Sequence, residues 1–227
     1  RVRGLRALYL GGYVLKRDSP SCGMERVKIY TASNAEKKGR GLFADALMRA
    51  MPELPVEEEG RLNDPALREN FIQRLFAYRR LRDCFAGRWT PGRVVAFHTA
   101  EKLSLMAHST VAYRELGRLV ARVKELPRAG FRDRYMREFM AALSLMATRG
   151  RNTNVLHHAA GHLKKRIDAP ARQELAALID DYREGLVPIV VPLTLLRHHA
   201  RVHDVEYLNG QTFLSPHPKE LMLLNHV

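Results

Sequence analysis

Pro52-Glu53-Leu54-Pro55-Val56-Glu57-Glu58-Glu59-Gly60 divides the chain into two differently patterned parts. The stretch is acidic, held extended by its prolines and closed by glycine, so it reads as a linker over 53–60 between a domain at 1–52 and another at 61–227. On its N-terminal side, from Leu8 to Thr31, two short runs rich in β-branched and aromatic residues (12–16 and 27–30) flank the turn-rich Asp18-Ser19-Pro20-Ser21-Cys22-Gly23. This is the pattern of strand, loop, strand. A helix is expected from about Gly41 to Met51, stopped by Pro52.

On the C-terminal side the period changes to that of helices. Asp64 and Pro65 make a cap and first-position pair, after which Leu67, Phe71, Leu75 and Tyr78 recur every three or four residues. Thr90 and Pro91 repeat that start ahead of 97–106. Further apolar stripes run through Ala112, Leu116, Leu119, Val120 and Val123, then Tyr135, Phe139, Leu143 and Met146, then Leu156, Ala160, Leu163 and Ile167. Leu175, Leu178, Ile179 and Tyr182 mark a sixth helix ended by Gly185, and 189–203 a seventh. The expectation is a mainly α chain, a small α/β part followed by a multi-helix bundle, with an irregular tail from Tyr207 where Ser215-Pro216-His217-Pro218 blocks regular structure.

Composition bounds the function. Of 227 residues, 46% are hydrophobic and 27% charged, which excludes a disordered or fibrous chain. The longest apolar run, 186–196, carries two prolines and a threonine and falls well short of the roughly 20 residues that span a bilayer. Two cysteines make no disulfide framework, and with no charged-then-apolar leader a reducing, cytoplasmic setting is expected. The 38 Lys+Arg against 24 Asp+Glu are unevenly placed: residues 1–60 hold 11 against 8, residues 61–227 hold 27 against 16 and all ten histidines. Such a basic part attracts polyanions, either nucleic acid or an anionic membrane face, and nucleic acid is the favoured partner.

Cys22, between a strand end and Gly23 and preceded by Ser19 and Ser21, can present a thiolate to a metal or cluster; the bland alternative is an inert cysteine in a turn. On the helix after Ser109, Arg114, Arg118 and Arg122 recur every four residues opposite the apolar stripe, as a phosphate-contacting row or a solvated face. Arg149-Gly150-Arg151-Asn152-Thr153-Asn154 is placed between two helices, where glycine lets backbone approach a phosphate. His158 and His162, and His199 and His203, have the one-turn spacing of metal-ligand pairs, yet no carboxylate accompanies them. With Lys165, His158 and His162 point away from the apolar stripe. His98 and His108 are expected to pair with polar groups inside the bundle. A single tryptophan, Trp89, argues against a base-stacking platform, so RNA contact would rest on backbone charge and shape.

The islands Gly12-Tyr13-Val14-Leu15-Lys16, Ser19-Pro20-Ser21-Cys22-Gly23 and Gly39-Arg40-Gly41-Leu42-Phe43-Ala44 resemble the second half of the thiouracil desulfidase (TudS) family. Residues 53–227 resemble the YbgA-like domain that often follows it, through Pro55 to Leu62, Phe97-His98 with Lys102, Met106 to Ser109, Asn154 to His158 with Gly161, Pro188 to Pro192, and Gln211 with Ser215 to Pro218. The pairing is similar to the RudS-type desulfidases, thought to remove sulfur from 4-thiouridine in tRNA. The resemblance implies a [4Fe-4S] cluster held by three cysteines, with Cys22 as the one matching ligand, Ser19 as an active-site hydroxyl, and Ser21 and Lys16 as weaker binding candidates. The other two cysteines would belong to an absent N-terminal half, so the chain, opening with Arg1, is read as a fragment and its α/β part as the remnant of a desulfidase domain. Asp18 stands where the family leads one to expect a basic or polar residue. tRNA or another RNA is the expected partner, with no membrane and no obligate protein partner. The rival reading is a non-catalytic RNA- or DNA-binding adaptor; a histidine-metal hydrolase ranks last.

Overall fold

The computed structural model describes residues 2–30 and 34–225; Arg1, Thr31 and Val227 lie outside them. Two compact units divide between Arg80 and Leu81. The first holds α1 (Val2–Ala7), β1 (Tyr13–Leu15), β2 (Val27–Tyr30), β3 (Ala35–Gly39), α2 (Leu42–Ala50) and β4 (Val56–Glu58), then a tight 3-10 turn at Arg61–Asn63 and most of α3 (Pro65–Cys84). β1 and β4 pair in parallel, Tyr13 opposite Val56 and Leu15 opposite Glu58. Parallel strands cannot be joined by a hairpin, so the intervening chain crosses over and carries α2 with it.

The stretch 53–60, expected as a linker, is built into this unit. Val56, Glu57 and Glu58 are all buried, and the prolines lie outside the paired residues: Pro55 offers only its carbonyl, which accepts the Tyr13 amide at 2.8 Å. β2 and β3 form an antiparallel hairpin with Ile29 opposite Glu36.

The second unit is helical. After the end of α3 come α4 (Pro91–His108), α5 (Thr110–Ala121), α6 (Arg128–Ser144), α7 (Arg149–Leu163), α8 (Ala169–Glu184), α9 (Val190–Val202) and the single turn α10 (Glu206–Asn209). α3 to α9 are the seven helices the apolar periods predict, and the fold is mainly α with a small α/β portion. Asp64 Oδ1 accepts from the Leu67 amide at 2.9 Å and Thr90 Oγ1 from Arg93 at 3.2 Å, so both expected caps form. Gly185 ends α8 at φ +83°, a left-handed conformation that favours glycine.

Two clusters fill this unit. Phe85, Trp89, Phe131, Tyr135 and Phe139 stack ring on ring with centroids 5–7 Å apart. A larger aliphatic cluster joins α4 to α7, α8 and α9 through Leu103, Leu156, Leu163, Ile179 and Leu196. The tail is fastened to α4 by one buried side chain: Gln211 donates from Nε2 to Thr99 O at 2.8 Å and accepts at Oε1 from the Leu103 amide at 3.3 Å. Beside it Thr212 Oγ1 donates to the buried Glu101 Oε2 at 2.7 Å.

Replacing Gln211 by leucine keeps the volume but leaves two buried backbone groups with one partner fewer. The unfolding free energy of Gln211→Leu in a denaturant titration is expected to fall by about 1–3 kcal/mol. An unchanged midpoint would show that the tail is not fastened through this amide.

Candidate functional site

Loop 19–23 is organised by its own first residue. Ser19 Oγ accepts from the Ser21 and Cys22 amides at 3.3 and 3.1 Å, and the Ser19 carbonyl accepts from Gly23 N at 2.8 Å. The remaining carbonyls serve α2. Pro20 O accepts from Leu42 N at 3.3 Å, Ser21 O from Phe43 and Ala44 at 2.9 and 3.2 Å, and Gly23 O from Gly41 at 2.8 Å. The first amides of a helix have no partner within it, so the loop caps α2 and α2 fixes the loop. The approach is close enough that a Cβ on Gly41 would stand 2.3 Å from Ser21 O.

The loop's exit is tied to β4. Glu58 Oε1 accepts from the Met24 amide at 2.7 Å, and Arg61 bridges Glu57 at 2.7 Å and Glu25 at 2.6 Å. The two on β4 escaped the sequence reading because a run of three glutamates after two prolines and before a glycine resembles a solvated linker. The fact that Val56 begins a run matched in register to 13–15 is the signal that could have found them. Cys22 is thus half-buried on a loop held at both ends. The Ser19 hydroxyl is directed onto the loop's own amides, while Ser21 and Lys16 are exposed.

The donor set present does not fit a [4Fe-4S] cluster, which needs three or four thiolates. Cys22 and Cys84 are both free, and Cys84 is buried in the helical unit, where desolvation pushes its thiol up to about 11. Among the described residues no three His, Cys, Asp or Glu side chains converge in a group that could hold a metal ion. Cys22 can supply one ligand.

In the helical unit the expected phosphate contacts divide. Arg114 and Arg118 stand exposed one turn apart on α5, beside a groove of about 300 Å³ lined by His98, Lys102, Tyr113 and Gly117. Arg122 lies past the end of α5 and pairs with Glu125 at 2.8 Å, so the row is shorter than expected. Residues 149–154 are the first turns of α7 and not a loop between helices. Both arginines there point at carbonyls: Arg149 Nη1 donates to Tyr182 O at 2.8 Å, and Arg151 donates to Ala107 O at 3.0 Å and Met146 O at 2.5 Å. Tyr182 and Ala107 lie in the last turns of α8 and α4, where carbonyls at the negative end of the helix attract cations. Lys165 is exposed in the turn after α7.

The histidines are spread over separate surroundings. His98 Nδ1 and the Tyr135 hydroxyl share a 3.0 Å hydrogen bond, and His108 Nδ1 meets Leu145 O at 2.5 Å, as expected of bundle histidines. His158 and His162 are exposed, and His162 stacks on Tyr207 with ring centroids 4.5 Å apart. His199 and His203 lie ring over ring at 6.1 Å. Trp89 is buried under Arg128, whose guanidinium is 4.3 Å from the ring centroid. No helix among the described residues is long and apolar enough to cross a membrane.

Comparison with known proteins matches both parts. Residues 2–59 match the family model described as 2-thiouracil desulfurase, and residues 102–218 match the model described as protein of unknown function DUF1722. The chain is 33% identical over 156 residues to the uncharacterized protein YbgA of Escherichia coli strain K12, an alignment covering 68% of this chain and 92% of that protein. No solved structure matches. The order is therefore a TudS-like segment followed by a YbgA-like domain.

Two measurements test this geometry. Ser19→Ala removes the acceptor of two loop amides and is expected to cost about 1 kcal/mol of stability and to speed alkylation of Cys22; unchanged alkylation would show that the hydroxyl does not hold the loop. Burial, with Lys102 adding to it, lowers the His98 pKa from its usual 6.5 to about 4. As pH falls from 6.5 toward 4 the unfolded chain takes up that proton and the folded one does not, so stability is lost in that window. Wild type should lose on the order of 3 kcal/mol more than His98→Asn across it, and parallel pH curves would contradict the burial of a neutral ring.

Proposed function

The chain belongs to the DUF1722 family, with a 2-thiouracil desulfurase-like segment ahead of that domain, and from this premise we propose that it serves sulfur removal from thiolated RNA. The substrate is read as 4-thiouridine in tRNA. The observation that carries the reading is the joining, in one chain, of a desulfurase-like loop presenting Cys22 to a helical unit whose Arg114 and Arg118 stand exposed with no ion-pair partner among the described residues. In this scheme the helical unit holds the tRNA backbone, chiefly through those two arginines, with Lys165 as a further contact and Lys16 of the first unit as another. Arg149 and Arg151 belong to the scaffold.

Cys22 is the one thiolate on this loop that could serve the [4Fe-4S] cluster implied by the family resemblance; a cluster needs further thiolates, which the described residues do not bring together with it. This chain's own residues place that thiolate: Ser19 and the α2 amides fix the loop, and Glu58 fixes its exit. A 4-thiouridine within folded tRNA is stacked, so its nucleotide must be extruded to reach Cys22, at a cost of a few kcal/mol. Phosphate contacts on the helical unit offset that cost. The single thiolate favours a second reading, an RNA-binding adaptor that removes no sulfur.

Binding of tRNA to the full chain, measured across a salt series, is expected to weaken steeply with salt. Charge reversal at Arg114 and Arg118 should flatten the log-log slope by up to about one unit for each phosphate that is no longer neutralised. Salt-independent binding, or none at low salt, would remove the RNA grip. Conversion of 4-thiouridine to uridine in tRNA, followed anaerobically with iron, sulfide and a source of the further thiolate ligands, then separates the two readings: Cys22-dependent conversion supports the desulfidase, and tight binding without conversion supports the adaptor.

A further inference from the structure

The groove between α4 and α5 has a polar floor that a general attraction for polyanions does not account for. His98 is 3% exposed, and Tyr135 from α6 occupies its Nδ1, yet its buried Nε2 has no hydrogen-bond partner. A buried nitrogen left so destabilises the empty fold, and a ligand in the groove relieves it. Desolvation, with the nearby Glu101 charge adding to it, holds the Tyr135 pKa well above its usual 10. The phenol therefore keeps its proton; in the tautomer where it donates that proton to Nδ1, the hydrogen of the neutral ring lies on Nε2 at the floor of the groove.

The walls are cationic. Lys102 lies one turn after His98 on α4, and Arg114 and Arg118 lie one turn apart on α5; no acidic side chain lines the groove, and none of the three cations has an ion-pair partner among the described residues. Between the arginines sits Gly117, in a helix interior where glycine is less stable than alanine. The Cβ it lacks would stand 3.8 Å from His98 Nε2, in ordinary contact and above the one unpaired donor. Three cations above a buried, unpartnered ring nitrogen suit a compact, multiply charged acceptor with several oxygens.

We propose that this groove binds a phosphate group, its oxygens shared by Lys102, Arg114 and Arg118 and by the N–H of His98 Nε2. A volume of about 300 Å³ leaves room for the sugar beside it. The phosphate belongs either to an RNA backbone or to a small phosphate ester; the RNA source rests on the proposed RNA grip, the pocket itself does not.

The test follows the His98 ring signals by NMR in the full chain while inorganic phosphate, uridine 5′-monophosphate and tRNA are added in turn. Inorganic phosphate and the mononucleotide are expected to shift those signals saturably. Arg114→Gln and Arg118→Gln should each weaken inorganic phosphate by roughly tenfold, and Gly117→Val, which roofs Nε2, should abolish the shift. Ring signals unmoved by all three probes in the wild type overturn the pocket, as does a shift that survives in Gly117→Val. A response to inorganic phosphate and mononucleotide without tRNA binding supports the pocket and removes the RNA grip. tRNA binding with unmoved ring signals supports the grip and overturns the pocket.

Discussion

A polar group taken out of water must find a partner, and both units are organised around places where distant parts of the sequence meet that obligation together. In the first unit the obligation is the row of amides at the start of α2, answered by the carbonyls of Pro20, Ser21 and Gly23. Those carbonyls reach the helix only because Gly41 has no Cβ in the way, while Gly23 lets the loop close against Ser19 and Val27. The position of Cys22 follows from this exchange, since its amide is drawn to Ser19 Oγ while its neighbours face the helix. In the second unit Gln211 and Thr212 meet the same need along α4 between Thr99 and Leu103, the segment that also carries Glu101 and Lys102.

The basic charge of the helical unit is less uniform than its total suggests. Part of it is structural: Arg149 and Arg151 neutralise helix C-termini, Arg128 covers Trp89, and Arg122 and Arg134 are matched by glutamates three and four residues on. Lys102 on α4 and Arg114 and Arg118 on α5, by contrast, have no ion-pair partner among the described residues. Counting lysines and arginines along a sequence measures the attraction for polyanions but does not locate it, because a guanidinium spent on a carbonyl looks the same in sequence as one held out in solvent.

The seven long helices were legible because each buries a stripe repeating every three or four residues and several begin at recognisable caps such as Thr90-Pro91. The short strands were less so. β3, Ala-Glu-Lys-Lys-Gly, has no apolar alternation and pairs through its backbone, and β4 is disguised by its glutamates, which are buried by partners at Arg61 and Met24 that no local pattern announces. At the candidate site the Cys22 loop was readable as a loop, but the inward direction of Ser19 was not. The row of Arg114 and Arg118 was readable from spacing alone. Its meeting with His98 depends on Tyr135, 37 residues further on, and so on tertiary structure.

Gly117 is the sequence signal that could have pointed to that meeting. A glycine inside an otherwise regular helix gives up about 1 kcal/mol, and here an alanine Cβ would meet its neighbour at an ordinary 3.8 Å, so lack of space does not require the glycine. The same groove contains an unpaired buried nitrogen, which lowers the stability of the empty fold, and three cations without an ion-pair partner among the described residues. Elsewhere in this unit comparable groups are paired, as Glu101 is with Thr212 and Arg151 with Ala107. Independent costs concentrated in one groove, and relieved together by one negatively charged acceptor, are more simply explained by a bound ligand than by three separate imperfections of packing.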